Sequence, residues 1–181
     1  AFPLAINTDF ATFDIQCGSL RRPTHRNTSW DAAKYEVCAQ RWADLSEGDC
    51  GVSLLNDCKY GVGVEQNSIE LTLLRAAASP EMASDQGEHH FRYGFTAWEG
   101  AFADAPVVWQ AAAFNDAIAM EPGRLKAFSA FSTDSPNVLV DTVKPADDGS
   151  GDLVIRLYES KKADTVYHLL SDLPIEALVP C

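Results

Sequence analysis

The stretch GVSLLNDCKYGVGV, residues 51–64, contains two apolar runs with a polar cluster between them. The alternation in Gly51–Leu55 and again after Gly61 is typical of β-strands, in which successive side chains point to opposite faces. Between the runs, Asn56–Tyr60 places an amide, a carboxylate, a thiol, an amine and a phenol side by side. A catalytic or binding site would explain this cluster, and so would a polar hairpin connection. The stretch therefore predicts two strands and leaves the role of their connection open.

Further strand-like segments are short, rich in β-branched and aromatic residues, and separated by turn signals. They cover residues 10–20, 32–45, 69–74, 91–98, 128–131, 138–143, 153–158 and 166–170. The segment PADDGSGD (145–152) predicts a hairpin loop, whereas VVWQAAAFNDAIAM (107–120) fits either a helix or a strand entering a loop. Many short strands with turns every 8 to 12 residues or so predict an all-β fold, a mostly antiparallel β-sandwich. Because no fixed-period repeat or low-complexity linker interrupts the chain, we expect one domain over residues 1–181.

The charge balance limits the partners of the chain. Its 181 residues include 14 Lys and Arg against 26 Asp and Glu, a net charge of −12. Such a charge repels phosphate backbones and anionic lipid, so we expect neither nucleic acid nor membrane as a partner. The sequence has no apolar run of about 18 residues and no export signal at its start. Five cysteines with no CxxC pair indicate reduced thiols, and we therefore expect a cytoplasmic protein.

Catalytic and metal motifs are scarce. His89 and His90 are adjacent, so on a strand they would point to opposite faces, and we expect no metal site made by this chain alone. There is no GxSxG motif, and no histidine can be assigned as a base for Cys58. The polar segments are nevertheless rich in Asn, Asp, Gln, Arg and His, with Trp30 and Tyr60 available to pack on a sugar ring. Ordinary turn residues that satisfy backbone groups would have the same composition, so both interpretations stay open.

Four long strings carry a resemblance to a known family. They resemble the C-terminal region of the family 38 glycoside hydrolases, the retaining α-mannosidases, and particularly their bacterial and cytosolic/vacuolar branch. The strings are RPTHRNTSWDAAKYEV (22–37), RWADLSEGDCGVSLLNDCKYG (41–61), LTLLRAAASPEMASDQGEHHFRYGF (71–95) and LVIRLYES (153–160).

The resemblance implies a division of labour within a longer enzyme. In this family an N-terminal α/β domain carries an aspartate nucleophile, a second carboxylate and a zinc ion that engages mannose hydroxyls. That domain would precede Ala1, so the resemblance implies a fragment that is inactive alone and has no cofactor of its own. Its partners would be that catalytic domain and a mannose-containing oligosaccharide. Hydrophobic surface left uncovered would serve the missing domain or self-association as a homo-oligomer.

The resemblance also implies site residues, none of them catalytic. The substrate-binding residues expected at the mouth of the sugar site are Asn56, Asp57, Lys59, Tyr60, Arg75 and Asp85. The same residues could instead hold turns in register through paired charges and Asx-type turns. A second hypothesis of a different class is an independent, non-catalytic carbohydrate-binding β-sandwich.

Overall fold

The computed structural model describes residues 1–116, 120, 122–124 and 126–181. The chain forms two compact units, Ala1–Ala117 and Ile118–Cys181, called here the first and second units. All strand pairs in the described residues are antiparallel. The predicted all-β fold with many short antiparallel strands is confirmed.

The described residues of the first unit form nine strands and two short helices. Its strands are β1 (Phe2–Pro3), β2 (Phe10–Ile15), β3 (Gly18–Pro23), β4 (Val37–Cys38), β5 (Trp42–Glu47), β6 (Cys50–Asn56), β7 (Gly61–Glu65), β8 (Ser68–Leu71) and β9 (Tyr93–Glu99). Its helices are α1 (Ser29–Ala32) and α2 (Val107–Asn115), with a 3-10 turn at Phe102–Asp104. The second unit contains β10 (Ser132–Thr133), β11 (Val138–Pro145), β12 (Leu153–Glu159) and β13 (Leu169–Leu170).

Two sheets pack face to face in the first unit and form a sandwich. One has the strand order β3-β2-β5-β6-β9 and the other β1-β8-β7-β4. Their inner faces meet in one apolar cluster, where Phe13, Leu45 and Leu54 of the first sheet join Val62 and Ile69 of the second. Complete burial of a side chain of this size contributes about 1.5–3 kcal/mol, so this cluster holds the two sheets together.

The outer face of the five-stranded sheet is also covered. Helix α2 packs against β5 and β6, and the Phe102 ring lies 5.8 Å from the Trp42 ring and 5.9 Å from the Trp98 ring. Beneath this layer, the Asp44 carboxylate accepts hydrogen bonds from Ser53 Oγ at 2.6 Å and Trp98 Nε1 at 3.0 Å. Because both faces are covered, four consecutive residues of β5 are buried.

The second unit consists of two small ribbons. Strand β10 pairs with β13, and β11 pairs with β12, with an irregularity in register between Val140 and Thr142. The predicted hairpin loop 145–152 does connect β11 to β12. The strand expected at 128–131 is shifted, because β10 begins at Ser132. The strand expected at 166–170 is shorter, because β13 is confined to Leu169–Leu170.

The segment 32–45, predicted as one strand, is divided. Thr28 caps α1 by accepting a hydrogen bond from Asp31 N, and the Asp31 carboxylate accepts one from Thr28 N, which forms a capping box. The chain then forms β4 and enters β5 only at Trp42. The run 107–120, left undecided from sequence, is helical over Val107–Asn115, and residues 117–119 lie outside the described residues.

Candidate functional site: the polar corner between the sheets

The cluster Asn56–Tyr60 joins two strands that do not pair with each other. Strand β6 belongs to the five-stranded sheet and β7 to the four-stranded sheet. The connection is therefore a corner between the layers of the sandwich, and the hairpin interpretation is wrong. We call residues 56–60 the polar corner.

Asn56 fixes the shape of the polar corner from inside. Its side chain is 1% exposed. Its Nδ2 donates to the Gln40 carbonyl at 2.8 Å, and its Oδ1 accepts from the Lys59 main-chain nitrogen at 2.8 Å. In the second bond the Asn56 side chain takes the place of a backbone acceptor for the nitrogen three residues further along the chain. The Asn56 carbonyl accepts a further bond from Asn115 Nδ2 at 3.0 Å, which joins the corner to the end of α2.

Asp57 ties the corner to the residue that precedes β9. Its Oδ1 accepts from the Arg92 main-chain nitrogen at 2.9 Å, and its Oδ2 accepts from Arg92 Nε at 3.1 Å. Burial alone would raise the pKa of Asp57, but hydrogen bonds from Arg92 and Cys58 and the Arg92 charge together lower it. Asp57 is therefore held as a carboxylate, which suits a positioning role and not an acid that donates protons near neutral pH.

Cys58 has the wrong electrostatics for a nucleophile. Burial and the neighbouring Asp57 carboxylate raise the pKa of its thiol, whereas reactive cysteines need a lowered pKa. The absence of an assigned base in the sequence pointed the same way.

Among the described residues, no hydrogen bond engages the side-chain polar ends of Lys59 and Tyr60. The Lys59 Nζ lies 5.3 Å from the centroid of the Phe91 ring, a cation–π arrangement. Tyr60 is 55% exposed, and Trp30, the other aromatic residue expected to pack on a sugar, is 80% exposed on α1. The corner thus presents an ammonium group and a phenol on a rigid support.

Arg75 belongs to a second cluster, centred on Glu36. Arg75 Nη2 lies 2.6 Å from Glu36 Oε2, and Thr72 Oγ1 donates to the same oxygen at 2.5 Å. These two hydrogen bonds lower the pKa of Glu36. A Cβ at Gly61, the first residue of β7, would lie 2.7 Å from Glu36 Oε1. The Glu36 cluster is therefore adjacent to the end of the polar corner.

Asp85 lies in the exposed loop before β9 and closes that loop on itself. Its Oδ2 accepts from the Ala76 main-chain nitrogen at 2.8 Å, and its carbonyl lies 2.9 Å from His89 Nε2. Asp85 has a φ of 62°, in the left-handed region that few non-glycine residues occupy. Among the described residues, the hydrogen bonds of Asp85 reach neither the polar corner nor Glu36.

The structure thus brings four of the six predicted site residues into one corner, places Arg75 beside it, and leaves Asp85 in its own loop. Sequence reasoning missed Arg92, Glu36 and Asn115. Arg92 and Asn115 are 35 and 59 residues from their partners in the corner. No local sequence pattern indicates contacts of this range. For Arg92, the available signal was an unassigned charge within the predicted strand 91–98.

In the part of the chain that the structure describes, no group of three or more His, Cys, Asp and Glu residues could hold a metal ion. The residues described do not fit the zinc that the resemblance implies for the longer enzyme. Among the described residues there is also no helix with the length and apolar character needed to cross a membrane.

Comparison with solved structures agrees with the antiparallel β fold described above. The chain superposes on a crystal structure of an α-mannosidase from Enterococcus faecalis V583 with a TM-score of 0.78 and 20% identity, over 94% of this chain and 21% of that one. A second Enterococcus faecalis structure, of a glycosyl hydrolase family 38 protein, gives a TM-score of 0.72 at 20% identity over the same shares. This chain therefore shares its fold with a region of each of these proteins.

Sequence comparison defines the family. The model of the glycosyl hydrolases family 38 C-terminal domain matches residues 1–83. Human alpha-mannosidase 2C1 is 42% identical over 186 residues, covering 99% of this chain, and alpha-mannosidase G of Dictyostelium discoideum is 38% identical over 181 residues, covering 94%. Residues 1–83 thus match the C-terminal domain of the family 38 glycoside hydrolases, and the similarity to these relatives continues over nearly the whole chain. The chain spans 18% of the length of the human relative and 17% of that of the Dictyostelium relative.

Proposed function

We propose that this chain is the β-rich C-terminal part of an α-mannosidase that hydrolyses α-linked mannose in oligosaccharides. The observation that carries the proposal is the 42% identity, across 99% of the chain, with a protein named alpha-mannosidase 2C1. In this proposal the nucleophile and the zinc ligands lie in an N-terminal domain of the same polypeptide. The chain described here supplies support and loop residues and does not catalyse hydrolysis alone.

Within that enzyme, we assign sugar contact to Lys59, Tyr60 and Arg75. An ammonium group, a phenol and a guanidinium group donate hydrogen bonds to hydroxyls, and the Tyr60 ring offers a face for a pyranose. The exposure of Tyr60 and the support of the corner by Asn56 and Asp57 favour this assignment.

Asn56, Asp57 and Asp85 are then positioning residues. Each uses its side chain to accept a hydrogen bond from a main-chain nitrogen and so fixes a loop. Rigid support of this kind keeps contact residues in the orientation that binding requires.

An exposed aromatic edge supports the proposed domain partner. The Phe2 ring lies 5.6 Å from Tyr93 and 4.8 Å from Phe95, and these two side chains are 45% and 44% exposed. Exposed apolar patches mark interaction surfaces. We assign this edge to the N-terminal domain. Self-association of the isolated chain through the same edge is the competing use of the surface, and it would appear as a concentration-dependent mass in sedimentation.

The cysteines favour a cytoplasmic enzyme. All five are free and exposed: Cys17, Cys38, Cys50, Cys58 and Cys181. Exposed thiols without disulfides are typical of reducing compartments.

Kinetics of the longer polypeptide test the contact assignment. Replacement of one hydroxyl-binding group, in Lys59→Ala, Tyr60→Phe or Arg75→Gln, should raise KM for a mannose oligosaccharide roughly two- to tenfold. The control is Asp152→Asn, which alters an exposed carboxylate in the loop between β11 and β12 and should leave KM unchanged. Unchanged KM in all three contact variants would contradict the assignment.

A further inference from the structure

A second polar recess lies in the first unit, away from the polar corner. It has a volume of about 370 Å³, near the small end of the range of about 300–1,000 Å³ for ligand sites. Its walls come from the loop before β2, the end of β3 and the turn between β7 and β8: Asn7, Thr8, Asp9, Thr24, His25 and Gln66. We call it the β7-end pocket.

The pocket is separated from the polar corner by the length of a strand. Strand β7 begins at Gly61, next to the corner, and ends at Glu65, next to Gln66. Five residues of strand extend roughly 13 Å. The two places are therefore at opposite ends of β7, and a ligand in one does not touch the other.

Three exposed side chains at the pocket have hydrogen-bonding groups that no other described residue engages. Across the described residues, no hydrogen bond engages the amides of Asn7 and Gln66 or the carboxylate of Asp9, although their main chains are bonded. Amides both donate and accept, whereas a carboxylate only accepts. This mixture suits neutral hydroxyl groups, which also donate and accept. It does not suit phosphate, which the carboxylate would repel.

The backbone around the pocket is fixed in advance. Thr24 is buried, its Oγ1 donates to the Thr8 carbonyl at 2.6 Å, and its nitrogen donates to the Asp9 carbonyl at 3.0 Å. The Gln66 nitrogen donates to the Thr24 carbonyl at 2.8 Å. The three walls are thus joined through one residue, and the unused side chains are attached to a rigid frame.

Gln66 also has an unfavourable backbone conformation. Its φ is 53°, a left-handed value that glycine or asparagine adopts at lower cost. The value belongs to the two-residue hairpin turn Gln66–Asn67 between β7 and β8, a turn type in which the first central residue has a positive φ. The turn therefore fixes where the Gln66 side chain leaves the backbone at the pocket.

We propose that the β7-end pocket binds one neutral pyranose unit through the Asn7 and Gln66 amides and the Asp9 carboxylate. A shallow site of three such groups predicts weak binding, with a dissociation constant on the order of 1 mM. The proposal depends on the α-mannosidase function only for the choice of the first probe. In the proposed α-mannosidase, the role of the β7-end pocket is to hold a sugar unit remote from the bond that is cleaved.

Nuclear magnetic resonance titration of the ¹⁵N-labelled 181-residue chain tests the proposal. The probes are the methyl pyranosides of α-D-mannose, α-D-glucose and β-D-galactose, with glycerol as a control for non-specific hydroxyl binding. We expect saturable shifts of the Asn7 and Gln66 side-chain amide signals with at least one pyranoside and none with glycerol.

Two variants separate binding from folding. Gln66→Gly removes the amide and relieves the positive φ, and Asp9→Asn removes the charge while keeping the shape. Each should weaken binding at least threefold without loss of thermal stability. The matched control is Gln110→Ala, which removes an exposed amide from α2 and should bind as the original chain does.

The outcomes distinguish this inference from the proposed function. Binding of a glucoside or galactoside but not the mannoside supports the pocket and counts against its use by an α-mannosidase. No saturable shift with any pyranoside, or shifts unaffected by both variants, would overturn the pocket and leave the proposed function standing on its own kinetics.

Discussion

The Asp57 carboxylate holds Arg92 by its main-chain nitrogen at 2.9 Å and by its Nε at 3.1 Å. Arg92 in turn donates from Nη2 to the Phe114 carbonyl at 3.1 Å, and its guanidinium carbon lies 5.1 Å from the Phe114 ring centroid. One arginine thus connects the polar corner, the start of β9 and the last turn of α2. Asp57, the acidic residue of the polar corner, is therefore a structural carboxylate in this arrangement.

A double-mutant cycle should detect this pairing. Asp57→Asn and Arg92→Gln each remove the ionic part of the contact, and the coupling free energy of unfolding should be about 0.5–1 kcal/mol, because the Arg92 side chain is largely exposed. Urea unfolding of the original chain, both single variants and the double variant gives this value. Strictly additive effects would show that the two side chains do not interact in solution.

The pH dependence of stability should carry the signature of Asp14. Its buried carboxylate accepts from the Arg41 main-chain nitrogen at 3.0 Å and from Arg41 Nε at 3.2 Å, yet burial outweighs these contacts and raises the pKa of Asp14 above its ordinary value of 3.8. The folded state then binds the proton more tightly than the unfolded state. The contribution of Asp14 to the free energy of unfolding should therefore fall as pH rises from 3.8 through the raised pKa.

Asp14→Asn isolates that contribution. The difference in free energy of unfolding between the original chain and the variant, measured by urea titration at several pH values from 3 upward, should decline over this window and level off above it. A difference that increases with pH would mean that Arg41 stabilises the charged form more than burial opposes it.

Gly51 should not tolerate a side chain. It lies directly opposite Trp98 in the pairing of β6 with β9, and a Cβ at this position would overlap the buried indole ring. Gly51→Ala should lower the free energy of unfolding by about 1–3 kcal/mol, because the packed ring has to move. The matched control is Gly18→Ala in β3, where no atom lies within 4 Å of the added carbon. Equal losses for the two variants would contradict this packing.

The strands that sequence predicted well are runs of apolar and β-branched residues bounded by turn residues. Gly51–Leu55 lies inside β6, and the run 153–158 lies inside β12. Strand β3 was missed because it lies at the edge of the sheet and GSLRRP contains one large apolar residue, so it has no apolar alternation to detect. The Ala-rich α2 was ambiguous because buried helices and strands share apolar composition over short runs.

The polar corner shows the limit of prediction for the site. The sequence located both strands around Asn56–Tyr60 but could not tell which sheet each one joins, since period-two alternation carries no information about pairing partners. The Asn56 side chain bonds to Gln40, 16 residues away, and Asp57 bonds to Arg92, 35 residues away. Contacts of this range depend on the finished sandwich. The family resemblance rests on whole strings and agrees with the sequence comparisons, whereas the sugar-site residues that it implies stay a prediction.

The most direct test of the α-mannosidase proposal compares two proteins, the 181-residue chain and the longer polypeptide that contains it. The measurement is the hydrolysis of an aryl α-mannoside by each. We expect release of the aryl alcohol by the longer polypeptide and, from the 181-residue chain at equal concentration, a rate equal to that in buffer. Hydrolysis by the 181-residue chain would contradict the assignment of the catalytic groups to another domain. A longer polypeptide that releases no mannose would contradict the α-mannosidase proposal and favour an independent carbohydrate-binding sandwich.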